Sequence, residues 1–122
     1  MQLQESGEMY LETILILKNK FAQVRAIDIV NYTGYTKPSV SRAIGLLKRG
    51  KFIQVDSDGY IAFTDSGEEL AFKIYERHKL LTNLFVTLGV DEKVASEDAC
   101  KIEHHISDET FEAIKKHTKG IR

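Results

Sequence analysis

The chain has 122 residues, 43% hydrophobic and 29% charged, which is the composition of an ordinary soluble globular protein. No apolar run approaches the roughly 18–20 residues that a membrane span needs, and the polar, acidic N-terminus is unlike a signal peptide. A single cysteine excludes an intramolecular disulfide, so we expect a cytoplasmic protein. The net charge of −1 conceals an asymmetry, because residues 1–63 carry a net +2 and residues 64–122 a net −3.

Two helices are predicted first. Apolar residues recur every three or four positions between Ser6 and about Asn19, which predicts a helix buried on a broad face. A shorter helix is predicted from Val24 to Asn31, with Ile27 and Val30 facing inward.

A third helix and a β-hairpin follow directly. Thr36 can cap the helix, Pro38 suits its first turn, and Gly50 can end it after Arg49. The turn before it contains Gly34, which can supply a positive φ. Two β-rich runs then flank a good hairpin turn (the runs are 52–55 and 60–63, and the turn is 56–59). Helix, glycine turn, helix and hairpin together predict a winged helix-turn-helix.

The rest of the chain is predicted to be helical. Thr64 can cap a long helix from Asp65 to about Leu88, ended by Gly89. Two shorter helices follow, one from the Asp91 cap to about Ile106 and one from the Ser107 cap to Lys119. The predicted fold class is therefore mainly α. It comprises a winged helix-turn-helix domain at 1–63 and an all-helical metal-binding and dimerisation domain at 64–122.

The third helix is the candidate DNA-reading element. Residues 36–51 hold five basic side chains and no acid, which is the electrostatic footprint of phosphate binding. The side chains near the start of a reading helix reach base edges in the major groove. The candidate DNA-contacting residues are Thr36, Lys37, Pro38, Ser39 and Arg42. The alternative is a solvated basic helix on a protein-binding module.

A cluster of candidate metal ligands lies near the end of the fifth helix. Cys100, Glu103 and His104 are spaced i, i+3 and i+4, so on a helix they face one ion. Thiolate, carboxylate and imidazole together suit a borderline transition metal better than magnesium or calcium. His105 points about 100° away from His104 and is expected near the site or in solvent.

Three further residues are weaker candidates when taken singly. Met9 and Glu12 are three positions apart on the first helix, and His78 is an isolated histidine on the fourth. Each also has an ordinary explanation. Met9 could be a core side chain, Glu12 a solvated charge on a helix, and His78 a partly buried histidine with a hydrogen bond. Cys100 by itself would also most often be a small buried hydrophobic residue.

Four segments together resemble one known family. They are Glu-Met-Tyr-Leu-Glu at 8–12, Thr-Lys-Pro-Ser-Val-Ser-Arg at 36–42, and the segments at 75–81 and 97–108 that contain His78 and the Cys100 cluster. Across essentially the whole chain, these resemble the diphtheria-toxin-repressor and manganese-transport-regulator family of metal-dependent repressors. Because the chain ends near Arg122, we expect a short form without the SH3-like domain.

The resemblance implies a function. It implies a homodimer that binds a palindromic operator when loaded with Fe(II) or Mn(II), and that represses metal-homeostasis genes. We expect no enzymatic activity, because no substrate pocket can be read from the sequence. Because the proposed ligands lie on both sides of the hinge, our hypothesis is that the metal ties the first helix to the fourth and fifth helices. This would restrict the two DNA-reading helices of the dimer to one spacing that fits the operator. Two competing readings are a metal-independent winged-helix regulator and a pure dimerisation module. A third is a small metalloenzyme.

The ligand set that the resemblance implies is a hybrid. Met9, Cys100, Glu103 and His104 match the iron-type effector site, whereas Glu12 and His78 match additional ligands of a manganese-type binuclear site. Thr82 and Ser96 stand where the iron-type ancillary site needs an acid and a histidine, so that site is expected to be absent or altered. Sulfur ligands disfavour Mn(II), so Fe(II) is the expected effector. Mn(II) is the alternative, and Zn(II), Co(II) or Ni(II) are expected to substitute in vitro.

Overall fold

Six α-helices and one β-hairpin make up residues 5–119, the part of the chain that the computed structural model describes. In chain order they are α1 (Glu5–Lys20), α2 (Ala26–Thr33), α3 (Lys37–Arg49), β1 (Ile53–Val55), β2 (Ile61–Phe63), α4 (Asp65–Thr87), α5 (Glu92–Ile102) and α6 (Asp108–Lys119). The predicted fold class is confirmed. The chain divides into compact units at 1–72 and 73–122, so α4 contributes to both, and the functional domain boundary after residue 63 stays a prediction.

The first unit contains the winged helix-turn-helix. Its core is built from the apolar stripe of α1, the inward faces of α2 and α3, and the residue before α2. It includes these side chains at 4% exposure or less: Leu11, Ile14, Leu15, Leu17, Val24, Ile29, Val40 and Leu47. Between α2 and α3, Gly34 adopts φ +78° and donates its N–H to the Val30 carbonyl, as expected of a left-handed helix C-cap.

The second helix differs from its prediction. It begins at Ala26 instead of Val24, and Ile27, predicted to face inward, is 44% exposed while Ile29 is buried. The Val24 carbonyl instead accepts a hydrogen bond from the Ile61 N–H of the hairpin at 2.8 Å, which holds this residue outside the helix. The Asp28 carboxylate accepts the Arg25 N–H at 2.8 Å and so fixes the later start.

The wing forms as predicted, although each strand is one residue shorter at its start. Ile53 pairs with Phe63 and Val55 with Ile61 in an antiparallel ladder. At the turn, the Asp56 carboxylate accepts the N–H groups of Asp58 and Tyr60, both at 2.9 Å.

The start of α4 is anchored directly to the wing. Thr64 donates its hydroxyl to the Lys51 carbonyl at 2.6 Å and accepts the Gly67 N–H at 3.1 Å, as an N-cap does. Gly67 lies so close to the hairpin that a Cβ there would come within 1.8 Å of the Phe52 carbonyl oxygen. Only glycine permits this approach.

The second unit holds the end of α4 with α5 and α6. Asp91 caps α5 by accepting the Lys93 N–H, and Ser107 caps α6 by accepting the Thr110 N–H, both as predicted. The fifth helix was predicted to reach about Ile106, and that end is wrong because it stops at Ile102. Residues 103–106 turn instead, since Ser107 must leave the helix to cap the next one. Within residues 5–119 no helix has the length and hydropathy of a membrane span.

Gly67→Ala tests the anchoring of α4. The substitution forces the Phe52 backbone away, so the free energy of unfolding should fall by about 1–3 kcal/mol. The matched control is Gly45→Ala in α3, where a Cβ meets nothing within 4 Å. There alanine should raise stability by about 0.5–1 kcal/mol. Urea unfolding measures the stability of both variants. Equal changes in the free energy of unfolding would contradict the close approach of Gly67 to the Phe52 backbone.

Candidate metal centre

Three of the predicted ligands converge at the end of α5. The donor atoms of Cys100, Glu103 and His104 all lie within 4.8 Å of one another. Glu103 occupies the helix C-cap with φ −58° and ψ −26°, so the backbone stays locally helical after the regular hydrogen bonding ends. The spacing of three and four residues therefore brings the side chains together even though the helix is shorter than predicted.

The Glu103 carboxylate is the centre of this cluster. The residue is completely buried, with Oε2 2.8 Å from His78 Nδ1 and Oε1 3.3 Å from His104 Nε2. Oε1 lacks hydrogen-bond geometry with any partner in the described part of the chain. A buried carboxylate oxygen in that position is costly unless a cation or proton compensates it. One thiolate, one carboxylate and imidazole nitrogens fit a borderline divalent transition metal.

His78 joins the cluster from α4. One ring nitrogen, Nδ1, faces Glu103, and the other, Nε2, lies 3.3 Å from the Ser96 hydroxyl. The Thr82 hydroxyl donates to the His78 backbone carbonyl at 2.7 Å. Ser96 therefore contacts the His78 ring, and Thr82 bonds to its own helix. The absence or alteration of an ancillary site at these two positions stays a prediction. His105 is exposed, as anticipated.

Arg77 organises the turn that carries the cluster. Its side chain is only 9% exposed and donates to the Glu103 carbonyl at 3.2 Å and the Ile106 carbonyl at 2.9 Å. It also pairs with Asp108 at the start of α6, and its guanidinium lies 5.4 Å from the centre of the Phe111 ring. A hydrogen bond and the charge of Lys73, together with Arg77, hold the pKa of Asp108 below its usual value. The backbone of Glu103 is thus held by a buried arginine.

Met9 and Glu12 both lie on α1, in the first unit. Glu12 is buried, with 7% of its surface exposed. Met9 is half-buried, and its sulfur accepts a hydrogen bond from the Tyr35 hydroxyl at an O···S distance of 3.6 Å. Their ligand roles stay predictions.

The candidate DNA-reading residues all lie on the exposed side at the start of α3. Thr36 caps the helix by accepting the Ser39 N–H at 3.3 Å, and its hydroxyl donates to the Ser39 hydroxyl at 3.0 Å. Every candidate is exposed (Thr36, Lys37, Pro38, Ser39 and Arg42). On the other side of the helix Val40 and Leu47 are buried, so the arrangement presents a polar, basic edge to solvent.

Comparisons with known proteins identify the family. Residues 64–121 match the family described as "Iron dependent repressor, metal binding and dimerisation domain". The chain is 33% identical over 110 residues to the transcriptional regulator MntR of Salmonella typhimurium. The aligned region covers 90% of this chain and 70% of MntR. The chain belongs to the family of MntR and the diphtheria toxin repressor. This family consists of metal-dependent transcriptional repressors.

Two further comparisons, one with a sequence relative and one with a solved structure, show how far the similarity extends. The chain is 28% identical over 120 residues to the diphtheria toxin repressor of Corynebacterium diphtheriae, covering 98% of this chain and 53% of that protein. The structure of the manganese regulator SloR superposes with a TM-score of 0.81 at 24% identity, over 98% of this chain and 55% of SloR. The chain therefore spans about half the length of these two relatives.

Three functional candidates were not predicted from the sequence. They are Arg77, Ser96 and Tyr35, which contact the Glu103 turn, the His78 ring and the Met9 sulfur respectively. A signal existed only for Arg77, because it lies three residues after Ile74 and four before Leu81, on the buried stripe of α4. A charged residue on such a stripe must find partners when it is buried.

Arg77→Met tests this support of the turn. Two carbonyls lose their donor, so the free energy of unfolding should fall by about 2–4 kcal/mol. Lys73→Met is the matched control, because Lys73 also pairs with Asp108 at 2.9 Å but is 48% exposed. That change should cost less than about 1 kcal/mol. Chemical denaturation measures the free energy of unfolding of both variants. Equal losses of stability would show that Arg77 contributes no more than a surface ion pair.

Proposed function

We propose that this chain is a metal-activated repressor that binds a palindromic operator as a homodimer, with Fe(II) as its effector. The observation that carries the proposal is the completely buried Glu103 carboxylate, which lies among Cys100, His104 and His78 in a chain whose α3 presents an exposed basic edge. Membership of a repressor family supports the DNA-binding half of the proposal.

The proposed ligands divide into two groups. Cys100, Glu103 and His104 would hold the ion in the second unit, and we propose that Met9 on α1 supplies a further sulfur. A bound divalent cation supplies the positive charge that allows an ionised thiolate and carboxylate to lie side by side. Arg77 keeps the Glu103 backbone in place, and His78 orients one carboxylate oxygen.

The proposed regulatory step is that metal restricts the dimer to one of the several spacings that its two α3 helices otherwise sample. The half-sites of a palindromic operator lie about one helical turn, roughly 34–36 Å, apart, so a dimer must hold its two α3 helices at that separation. Because coupling between two ligands is reciprocal, operator DNA must raise metal affinity by the same factor by which metal raises DNA affinity. We propose a regulatory site and no catalytic activity.

The metal preference rests on the chemistry of the donors. A thiolate and a thioether are soft ligands, whereas Mn(II) prefers oxygen and binds weakly in the divalent series. This favours Fe(II). The alternative is a manganese-responsive regulator with a binuclear site that also uses Glu12 and His78, and the similarity to MntR and to the manganese regulator SloR supports it.

Glu103→Gln tests the site. The substitution removes the negative charge but keeps the shape, so metal-dependent operator binding should weaken by more than about 100-fold, beyond the loss typical of a supporting residue. The matched control is Glu97→Gln, at an exposed position on α5, which should behave as the unmodified protein. The measurement is fluorescence anisotropy of labelled operator during an anaerobic Fe(II) titration.

Two outcomes of that experiment would contradict the proposal. Full metal dependence in Glu103→Gln would show that the switch lies elsewhere. Operator binding that is indifferent to a chelator would instead support a metal-independent winged-helix regulator.

The effector itself is tested by comparing metals. With each ion buffered at its physiological activity, Fe(II) should induce operator binding in the unmodified chain more strongly than Mn(II). Cys100→Glu replaces the thiolate with a hard oxygen ligand, so it should shift the response toward Mn(II). Serine at the same position is the control for loss of sulfur alone. A response to Mn(II) only in the unmodified chain would establish the manganese alternative.

A further inference from the structure

Tyr35 connects two parts of the first unit that are distant in sequence. It lies in the short turn between α2 and α3, and its hydroxyl donates to the Met9 sulfur on α1 at an O···S distance of 3.6 Å. A thioether sulfur is a weak acceptor, and methionine has three rotatable side-chain bonds. A hydrogen bond from a rigid phenol therefore restricts where that sulfur lies.

The Tyr35 ring is itself supported by α1. Its centre lies 6.0 Å from the centre of the Tyr10 ring, with the planes tilted by 60°, a separation that suits an attractive aromatic pair. Tyr10 is 7% exposed, so it forms a fixed surface for the pair.

The backbone of Tyr35 is fixed at the start of the reading helix. Its N–H donates to the Thr33 hydroxyl oxygen at 3.1 Å, and that hydroxyl donates in turn to the Ile29 carbonyl at 2.8 Å. The next residue, Thr36, is the N-cap of α3. One residue therefore joins the sulfur of Met9 to the end of α3 at which the candidate DNA contacts begin.

We propose that Tyr35 is a positioning residue of the effector site, which holds the Met9 thioether and connects it to the N-terminus of α3. This inference rests on the proposed function, in which Met9 is a metal ligand. The thioether has two lone pairs, so a sulfur that accepts the Tyr35 hydroxyl still has one to offer an ion. Loss of the phenol should weaken metal binding and reduce the gain in operator affinity that metal produces.

Methionine-methyl NMR tests the contact in the metal-free protein. The chain has two methionines, Met1 and Met9, so a sample labelled with carbon-13 at the methionine methyl groups gives two signals. Met9→Leu assigns them. Tyr35→Phe removes a single oxygen and should shift the Met9 signal. Tyr32→Phe is the matched control, because Tyr32 is also exposed, and its ring faces Lys20. This variant should leave the Met9 signal in place.

The second arm measures the consequence for metal and DNA. Zn(II) competition against a chromophoric chelator should show affinity about two- to tenfold weaker in Tyr35→Phe, the loss expected of one hydrogen bond. The metal-induced gain in operator affinity should fall as well. In a Met9→Leu background, Tyr35→Phe should have no further effect, because the two residues act through one contact.

Each failure has a distinct meaning. An unmoved Met9 signal with unchanged Zn(II) affinity in Tyr35→Phe overturns the role of Tyr35. Equal effects of Tyr35→Phe and Tyr32→Phe overturn it too, since they would reflect a general loss of hydroxyls. If Zn(II) leaves the Met9 signal of the unmodified protein in place, Met9 is not a ligand. In that case the proposed ligand set fails even where the Tyr35 contact is present.

Discussion

The buried Glu103 carboxylate imposes the strictest physical requirement on this chain. A carboxylate removed from water must be compensated by hydrogen bonds or by positive charge, or it becomes protonated. Here two histidine nitrogens approach it, at 2.8 Å from His78 and 3.3 Å from His104. The arrangement of the second unit follows from this requirement, because a fixed turn must present the carboxylate at a place where several donors meet.

Arg77 is the means by which that turn is fixed. It bonds to the carbonyls of Glu103 and Ile106 and pairs with Asp108, so it closes α5 and positions the start of α6 together. The buried Glu103 therefore has two requirements within one network. Its carboxylate needs a compensating cation, and its backbone carbonyl accepts a hydrogen bond from Arg77. Networks of this kind are stable only when most members are satisfied, which makes them sensitive to a change in a single partner.

Local sequence patterns predicted the elements that depend on hydrogen bonds between residues close together in the sequence. The Gly34 turn, the Thr36 cap and the wing turn at Asp56 each depend on bonds within four residues, and all three form as expected. The convergence of Cys100 with Glu103 and His104 was predictable for the same reason, because it follows from helical spacing alone.

The features that the sequence did not predict depend on long-range contacts. Val24 is drawn out of the second helix by Ile61, 37 residues away in the wing. The support of Met9 by Tyr35 likewise spans 26 positions, and no periodicity encodes it. Arg77 is the intermediate case. Its place on the apolar stripe of α4 indicated that it is buried, but the sequence did not indicate its partners, the carbonyls of Glu103 and Ile106 in the turn after α5.

The proposed ligand set combines sulfur donors with oxygen and nitrogen donors. Sulfur from Cys100 and, as proposed, from Met9 favours a softer ion, while the carboxylate and imidazole groups suit most divalent transition metals. Selectivity among such ions comes from geometry and availability more than from raw affinity, so the tightest-binding metal in vitro need not be the effector. The supporting residues, Arg77 and Tyr35, belong to this question because they decide where the donors lie.

The most direct measurement is anomalous diffraction from crystals of the protein grown with Zn(II), a diamagnetic substitute for the effector. An anomalous peak is predicted at about 2.3 Å from Cys100 Sγ and about 2.0–2.2 Å from a Glu103 oxygen and His104 Nε2, the distances normal for zinc. A strong peak elsewhere in the molecule, with none among these three residues, would contradict the assignment of the Glu103 cluster as the effector site.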